Sequence, residues 1–216
     1  MLWGNDLSFL YVIISLVVFF VLIAVGWRLF SIRASIPCPA WLSWLVELDN
    51  PFFRNNRADV IIEHLALQPG MNILDFGCGP GRLTIPLAKR VGQGGEVTAL
   101  DAQSGMLQKV RAKIEAESIG NIKLLQAYSG EGKLERNAYD RVLLVTVLGE
   151  IPDKISALEE IFASLKQNGM LSVTEVIADP HFMRCRSVRQ LAISAGFVEK
   201  GFYGNKVSFT MNFEKP

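Results

Sequence analysis

Nine residues, Ile73 to Gly81, constrain this chain most: Ile-Leu-Asp-Phe-Gly-Cys-Gly-Pro-Gly. An apolar strand ends in an acid and runs into three glycines spaced two apart, and Arg82-Leu-Thr-Ile-Pro-Leu-Ala-Lys89 then has helical character. Strand, glycine turn and helix start together offer exposed backbone N–H groups to a nucleotide-like ligand. The turn needs glycine because a Cβ would block the ligand and because such turns use positive φ.

The spacing separates two cofactor classes. A dinucleotide fingerprint is Gly-x-Gly-x-x-Gly; here the third glycine comes one residue early and Arg82 holds the last position. A carboxylate at Asp75 would repel a pyrophosphate and suits a ligand with a positive centre. Gly95-Glu-Val-Thr-Ala-Leu-Asp101 reads as a second strand ending in an acid, about twenty residues past the glycines, where a carboxylate accepts from ribose hydroxyls in either class. Ser104 is the better candidate to cap the helix that follows, which leaves Asp101 for the ligand.

With its Asp-x-Gly-x-Gly-x-Gly run, the chain resembles the class I S-adenosylmethionine-dependent methyltransferases, and within them the ubiquinone/menaquinone-biosynthesis and arsenite methyltransferase group. Beyond Asp75 to Thr84, the likeness rests on Leu100-Asp101, Met106-Leu107, Tyr139 to Val142 and Asn168 to Leu171. The resemblance implies S-adenosylmethionine as cofactor, held by Asp75, Gly77, Gly79, Gly81 and Asp101. It places Phe76, Cys78, Ala102, Gln103, Met106, Tyr128 and Thr146 around the same ligand. Relatives commonly carry an acid after the third strand to hold the adenine amino group; here Tyr128 stands in its place, in Leu125-Gln-Ala-Tyr-Ser129.

The elements alternate, as in a parallel α/β sheet with right-handed crossovers. A leading helix is expected over 56–67 and strands near 72–76, 96–100, 122–126, 140–147 and 170–177, with helices near 81–91, 104–118 and 153–167. At the end, strand-like runs 197–202 and 206–213 flank Tyr203-Gly204-Asn205, a hairpin signal. The expected fold is α/β: a Rossmann-like, seven-stranded, mostly parallel methyltransferase sheet with an antiparallel C-terminal hairpin, preceded by one transmembrane helix. The domain boundaries follow as 1–34 for an anchor, 35–54 for a linker and 55–216 for the methyltransferase domain.

The anchor is read from Leu7 to Trp27, which contains no charged residue. Twenty-one helical residues reach about 31 Å, close to a hydrocarbon core of about 30 Å. Asp6 precedes the run and Arg28 and Arg33 follow it, which favours a retained anchor over a cleaved signal peptide and puts the C-terminal side in the cytoplasm. Pro37 and Pro39 end that helix, and Trp41, Trp44, Leu45 and Leu48 then form an apolar face suited either to lipid or to covering the domain.

With the anchor set aside, the mean hydropathy of +0.27 no longer describes the domain, and a net charge of +1 without a basic cluster argues against nucleic acid. Thr146 to Pro152 lacks the Asn/Asp-Pro-Pro-Tyr of enzymes that methylate base amines. Three dispersed cysteines, Cys38, Cys78 and Cys185, give neither a disulfide framework nor a metal site, and too few free thiols for arsenite. Candidate general bases are Glu150, Glu175 and His181, at or just past the carboxyl ends of strands. Glu150 has a competing reading as a helix cap, Glu175 as an ion-pair partner and His181 as a loop closure; His64 reads as structural. The expected function is methyl transfer at the membrane to a small, lipophilic acceptor of quinone, isoprenoid or phospholipid type. A non-catalytic methyltransferase-like scaffold and a nicotinamide-dependent oxidoreductase are the rival classes.

Overall fold

The structure, a computed structural model, describes residues 4–34, 47 and 53–216, and within its first helix the side chains of residues 8–23 and 26. That helix, α1 (Gly4–Ala34), is 31 residues long. Its described apolar side chains are exposed, from Phe9 to Ile23. The unbroken described stretch, 8–23, makes about 24 Å of helix, and among the described residues no helix is long and apolar enough to cross a membrane. The expected span, Leu7–Trp27, runs past those bounds at both ends. Cys38 and the expected apolar face of Trp41, Trp44, Leu45 and Leu48 lie outside the described residues.

The domain opens with a 3-10 turn (Arg54–Asn56) and α2 (Ala58–His64). Five parallel strands alternate with helices: β1 (Asn72–Phe76), α3 (Thr84–Val91), β2 (Glu96–Asp101), α4 (Ser104–Glu117), β3 (Ile122–Gln126), β4 (Tyr139–Val145), α5 (Lys154–Ser164) and β5 (Leu165–Val176). Helix α6 (Cys185–Ser194) and the hairpin β6 (Val198–Gly204) and β7 (Ser208–Glu214) complete it. The sheet order is β3-β2-β1-β4-β5-β7-β6, with β7 antiparallel to both neighbours. This is the expected seven-stranded sheet, with the order reversing between β1 and β4.

Side chains alternate across the pleat and sort into two cores. Ile73, Val97 and Leu143 face α2 and α3, where Ile61, Leu83, Leu87 and Val91 meet them. Leu74, Phe76, Val142 and Leu144 face the other way, onto Ala157, Leu158 and Ile161 of α5 and Val188 and Ala192 of α6.

Four elements differ from expectation. The leading helix is split because Arg57 is extended, at φ −73° and ψ 142°, and pairs with Asp59 in the first turn of α2. Strand β5 begins at Leu165, five residues early: Leu165 pairs with Tyr139, and the register shift before Arg141 absorbs the irregular 166–169 stretch, where Asn168 has φ +60°. Helix α6 was not expected, because Arg184, Arg186 and Arg189 dilute the apolar signal to Val188 and Ala192, one turn apart. Tyr203 and Gly204 belong to β6, and the turn lies at 205–207, where the Asn205 Oδ1 accepts the N–H groups of Val207 and Ser208 at 2.9 and 3.1 Å.

The first and last elements of the domain are tied together. Asn55 Nδ2 donates to the Ser208 carbonyl at 3.0 Å and Asn212 Nδ2 to the His64 carbonyl at 2.7 Å. The His64 ring stacks on Tyr203 with centroids 3.9 Å apart, the structural role expected of it.

Candidate active site

A cavity of about 270 Å³ lies at the carboxyl ends of β1, β2 and β4, at the point where the strand order reverses. The loops after these strands form its walls, together with the loops after β3 and β5.

The glycine turn makes one wall. Gly77 and Gly79 have φ of +76° and +53°. A Cβ on Gly77 would strike Val147 at 2.5 Å, whereas one on Gly79 would meet nothing within 4 Å, so Gly79 turns bare backbone toward open space. Gly77 and Cys78 donate their N–H groups to the Leu100 carbonyl at 2.8 and 2.9 Å, which fastens the turn to β2. Asp101, at the end of β2, accepts from the Gly79 N–H at 2.9 Å through Oδ2 and from the Gln103 N–H at 2.8 Å through Oδ1. The second bond makes Asp101 the acceptor at the start of α4, where Ser104 had been expected to act; Ser104 is the first helical residue and caps nothing. Burial pushes the Asp101 carboxyl above its usual range, and the two N–H groups oppose that shift.

Of the twelve residues expected around the cofactor, nine line this cavity: Phe76, Gly77, Gly79, Asp101, Ala102, Gln103, Met106, Tyr128 and Thr146. Asp75, Cys78 and Gly81 do not. Asp75 is buried behind the turn, where the Thr84 hydroxyl donates to it at 2.6 Å, and burial raises its carboxyl to about 6. It braces the turn against α3. Cys78 packs with Ala99, Leu107 and Val110, burial holding its thiol well above the ordinary range, and Gly81 faces Val110 of α4. Tyr128 is 66% exposed at the cavity wall.

The opposite wall is built differently. Thr146, directly after β4, has φ +56°, a strained conformation for a β-branched residue, held by its N–H to the Thr174 carbonyl at 2.9 Å. Three residues later a Cβ on Gly149 would collide with the His181 carbonyl oxygen, so the loops after β4 and β5 pack backbone against backbone. This contact sets Glu150 beside His181, with Oε1 3.6 Å from the His181 Nδ1. Burial, then the nearby Asp179 and Asp101, raise the Glu150 carboxyl to about 8. Glu150 does not cap α5; Asp153 does, accepting the Ser156 N–H at 3.0 Å.

Glu150 lines the cavity; Glu175 and His181 are buried beside it. Glu175 accepts the Met183 N–H at 3.0 Å through Oε2, its Oε1 has no hydrogen-bond partner among the described residues, and burial raises this carboxyl to about 8 as well. Asp179, which also lines the cavity and accepts the His181 N–H at 2.7 Å, was not singled out from the sequence, nor were Ser129, Val147, Ile151 and Pro152. Their common signal is position: each follows the carboxyl end of a strand. Among the described residues no cluster of His, Cys, Asp and Glu could hold a metal ion.

The residues present fit a nucleoside-bearing cofactor. Gly79 leaves room for close backbone approach, and Asp101 faces the cavity with carboxylate oxygens suited to hydroxyl donors.

Known proteins resemble the chain at three levels. Residues 67–195 match the family model described as a methyltransferase domain. Demethylmenaquinone methyltransferase of Staphylococcus aureus (strain MRSA252) is 36% identical over 115 residues, 53% of this chain and 47% of that protein. The Lactococcus lactis protein of the same name is 36% identical over 106 residues, 49% of this chain and 42% of its own length. The chain thus spans about half the length of the curated relatives it matches. Among solved structures, a SAM dependent methyltransferase from Aquifex aeolicus superposes with a TM-score of 0.74 at 19% identity, covering 83% of this chain and all of that one. A [4+2]-cyclase, SpnF, shares the fold with a TM-score of 0.62 at 19% identity, covering 68% of this chain and 58% of its own. Motif, sheet order and a family match over more than half of its length place the chain in the class I S-adenosylmethionine-dependent methyltransferase family.

Proposed function

We propose that the protein transfers a methyl group to a small lipophilic acceptor of quinone type, and that α1 anchors it to a membrane with the domain in the cytoplasm. The observation that carries the catalytic reading is the pairing of open backbone at Gly79 with the Asp101 carboxylate in one cavity. Backbone of Gly77 and Gly79 would hold the cofactor, Asp101 would accept from its ribose hydroxyls, and Met106 and Tyr128 would flank its base. When bound, the cofactor supplies an electrophilic methyl group on sulfonium sulfur. The chain's own contribution is alignment and exclusion of water. Glu150, on the cavity wall, is placed to take a proton from an acceptor hydroxyl, and a carboxyl raised to about 8 is a better base than an ordinary one. Demethylmenaquinone methyltransferases among the relatives support a quinone-type acceptor. The uncharged run Leu7–Trp27 and the exposed apolar side chains of α1 support the anchor.

Calorimetric titration of S-adenosylhomocysteine into the full chain in detergent tests the reading. Micromolar affinity that Asp101→Ala weakens roughly thirtyfold is the expected result. Absence of binding by the folded protein would favour the scaffold reading. Methylation of demethylmenaquinol in vesicles tests the acceptor, and carbonate-resistant sedimentation with vesicles tests the anchor.

A further inference from the structure

We infer that the acceptor end of the cavity selects by charge: it takes an uncharged hydroxyl compound and rejects one bearing a carboxylate or phosphate near the reacting atom, with Glu150 and Asp179 as the specificity-determining residues. The inference rests on the methyltransferase reading and narrows its acceptor.

Among the described residues three carboxyl groups line the cavity, Asp101, Glu150 and Asp179, and no lysine or arginine does. Two cations lie close by and both are turned elsewhere. Lys154 Nζ donates to the Ile151 carbonyl at 2.6 Å, and Arg82 Nη1 to the Asn56 carbonyl at 2.7 Å. Residues 35–52 contain no lysine or arginine, so that part of the chain has no cation to contribute. A fourth carboxyl, Glu175, is buried behind this end with an oxygen that has no hydrogen-bond partner among the described residues. An incoming anion would therefore meet three carboxyl groups and, among the described residues, no cationic side chain to offset them. Like charges a few ångströms apart in such surroundings repel strongly. A neutral hydroxyl brings no charge against these groups and can hydrogen-bond to a carboxyl oxygen.

The raised carboxyls are consistent with this. Glu150 and Glu175 already hold protons more tightly than ordinary acids, because burial and neighbouring acids leave little room for more negative charge. Binding an anion would raise them further and draw in protons; binding a neutral phenol would not.

The test uses two probes of one shape, 2-naphthol and 6-hydroxy-2-naphthoate, titrated by naphthol fluorescence against the full chain in detergent at low salt and about pH 8.5, above the value of about 8 to which Glu150 is raised, each corrected with a detergent blank. Circular dichroism of the same samples reports an intact fold, and S-adenosylhomocysteine binding tests the cofactor reading separately. The neutral probe is expected to bind at least about tenfold tighter. In Glu150→Gln/Asp179→Asn that ratio should shrink to about threefold or less, and Asp179→Lys should shift it further toward the carboxylate. Equal affinity in the unaltered protein, or a ratio that both variants leave unchanged, would overturn the inference. Loss of homocysteine-analogue binding in the unaltered protein would sink the methyltransferase reading, while the ratio would still report charge selection.

Discussion

The two walls of the cavity are made on opposite principles. On the β1–β2 side, hydrogen-bonding groups are paired before any ligand arrives: Gly77 and Cys78 on Leu100, Gly79 and Gln103 on Asp101, Asp75 on Thr84. On the β4–β5 side, strain and unmet charge are retained, with Thr146 at φ +56°, carboxyls raised to about 8 at Glu150 and Glu175, and an orphaned Glu175 oxygen. A wall that binds one constant partner can be finished in advance. On the proposed reading the second wall would meet the reacting molecule, and strained or perturbed groups of this kind gather at functional sites.

The contrast breaks most completely at Gly149. Gly149→Ala would push the loop after β4 off His181, and an overpacked backbone contact of this kind costs about 3 kcal/mol. Chemical denaturation should show that loss, while affinity for S-adenosylhomocysteine in the protein that remains folded changes little. Asp101→Ala should do the reverse. Removing a carboxylate that accepts ligand hydroxyls costs about 2 kcal/mol of binding, or roughly thirtyfold, with a smaller effect on unfolding; calorimetry and denaturation of one preparation give both numbers.

Thr84→Val sharpens the comparison on the first wall. It leaves the Asp75 carboxyl buried without its hydroxyl partner, a loss of about 1–2 kcal/mol of stability, and raises that carboxyl above its present value of about 6. A pH-dependent effect is expected from Glu175→Gln. A carboxyl raised to about 8 in the folded chain, against the 4.5 of a free glutamate, binds protons more tightly folded than unfolded. It therefore lowers stability progressively as pH rises from about 4.5 to about 8, and not beyond. Melting temperatures measured across that window should fall less in Glu175→Gln than in the unaltered protein.

The first wall was legible in the sequence and the second only in part, for a physical reason. Ile73 to Gly81 carries its geometry locally: the residues that need positive φ, the strand that precedes them and the helix that follows are contiguous. Asp101 could be found because a strand ends there. The role of Asp75 was harder to read, since its residue type suggested a charge facing the ligand while its neighbour nine residues on, Thr84, holds it behind the turn. On the second wall, Glu150 and His181 meet through packing between loops thirty residues apart, and nothing in either loop alone announces it. Asp179 sits among Ala178, Pro180 and His181 with no motif of its own. The early start of β5 depends on a bulge opposite Tyr139, a tertiary fact. Helix α6 was hidden because only Val188 and Ala192 bury fully on it.

The bonds from Asn55 to the Ser208 carbonyl and from Asn212 to the His64 carbonyl have a consequence for how the chain is born. They join residues about 150 positions apart, so the elements made first find their partners only when the last hairpin has left the ribosome. Until then α2 lacks its bond from Asn212, and the edge of β5 that will receive β7 lies open to any passing strand. Nascent chains stalled before Ser208 should accordingly be cut by protease within α2, and chains extended past Pro216 should not.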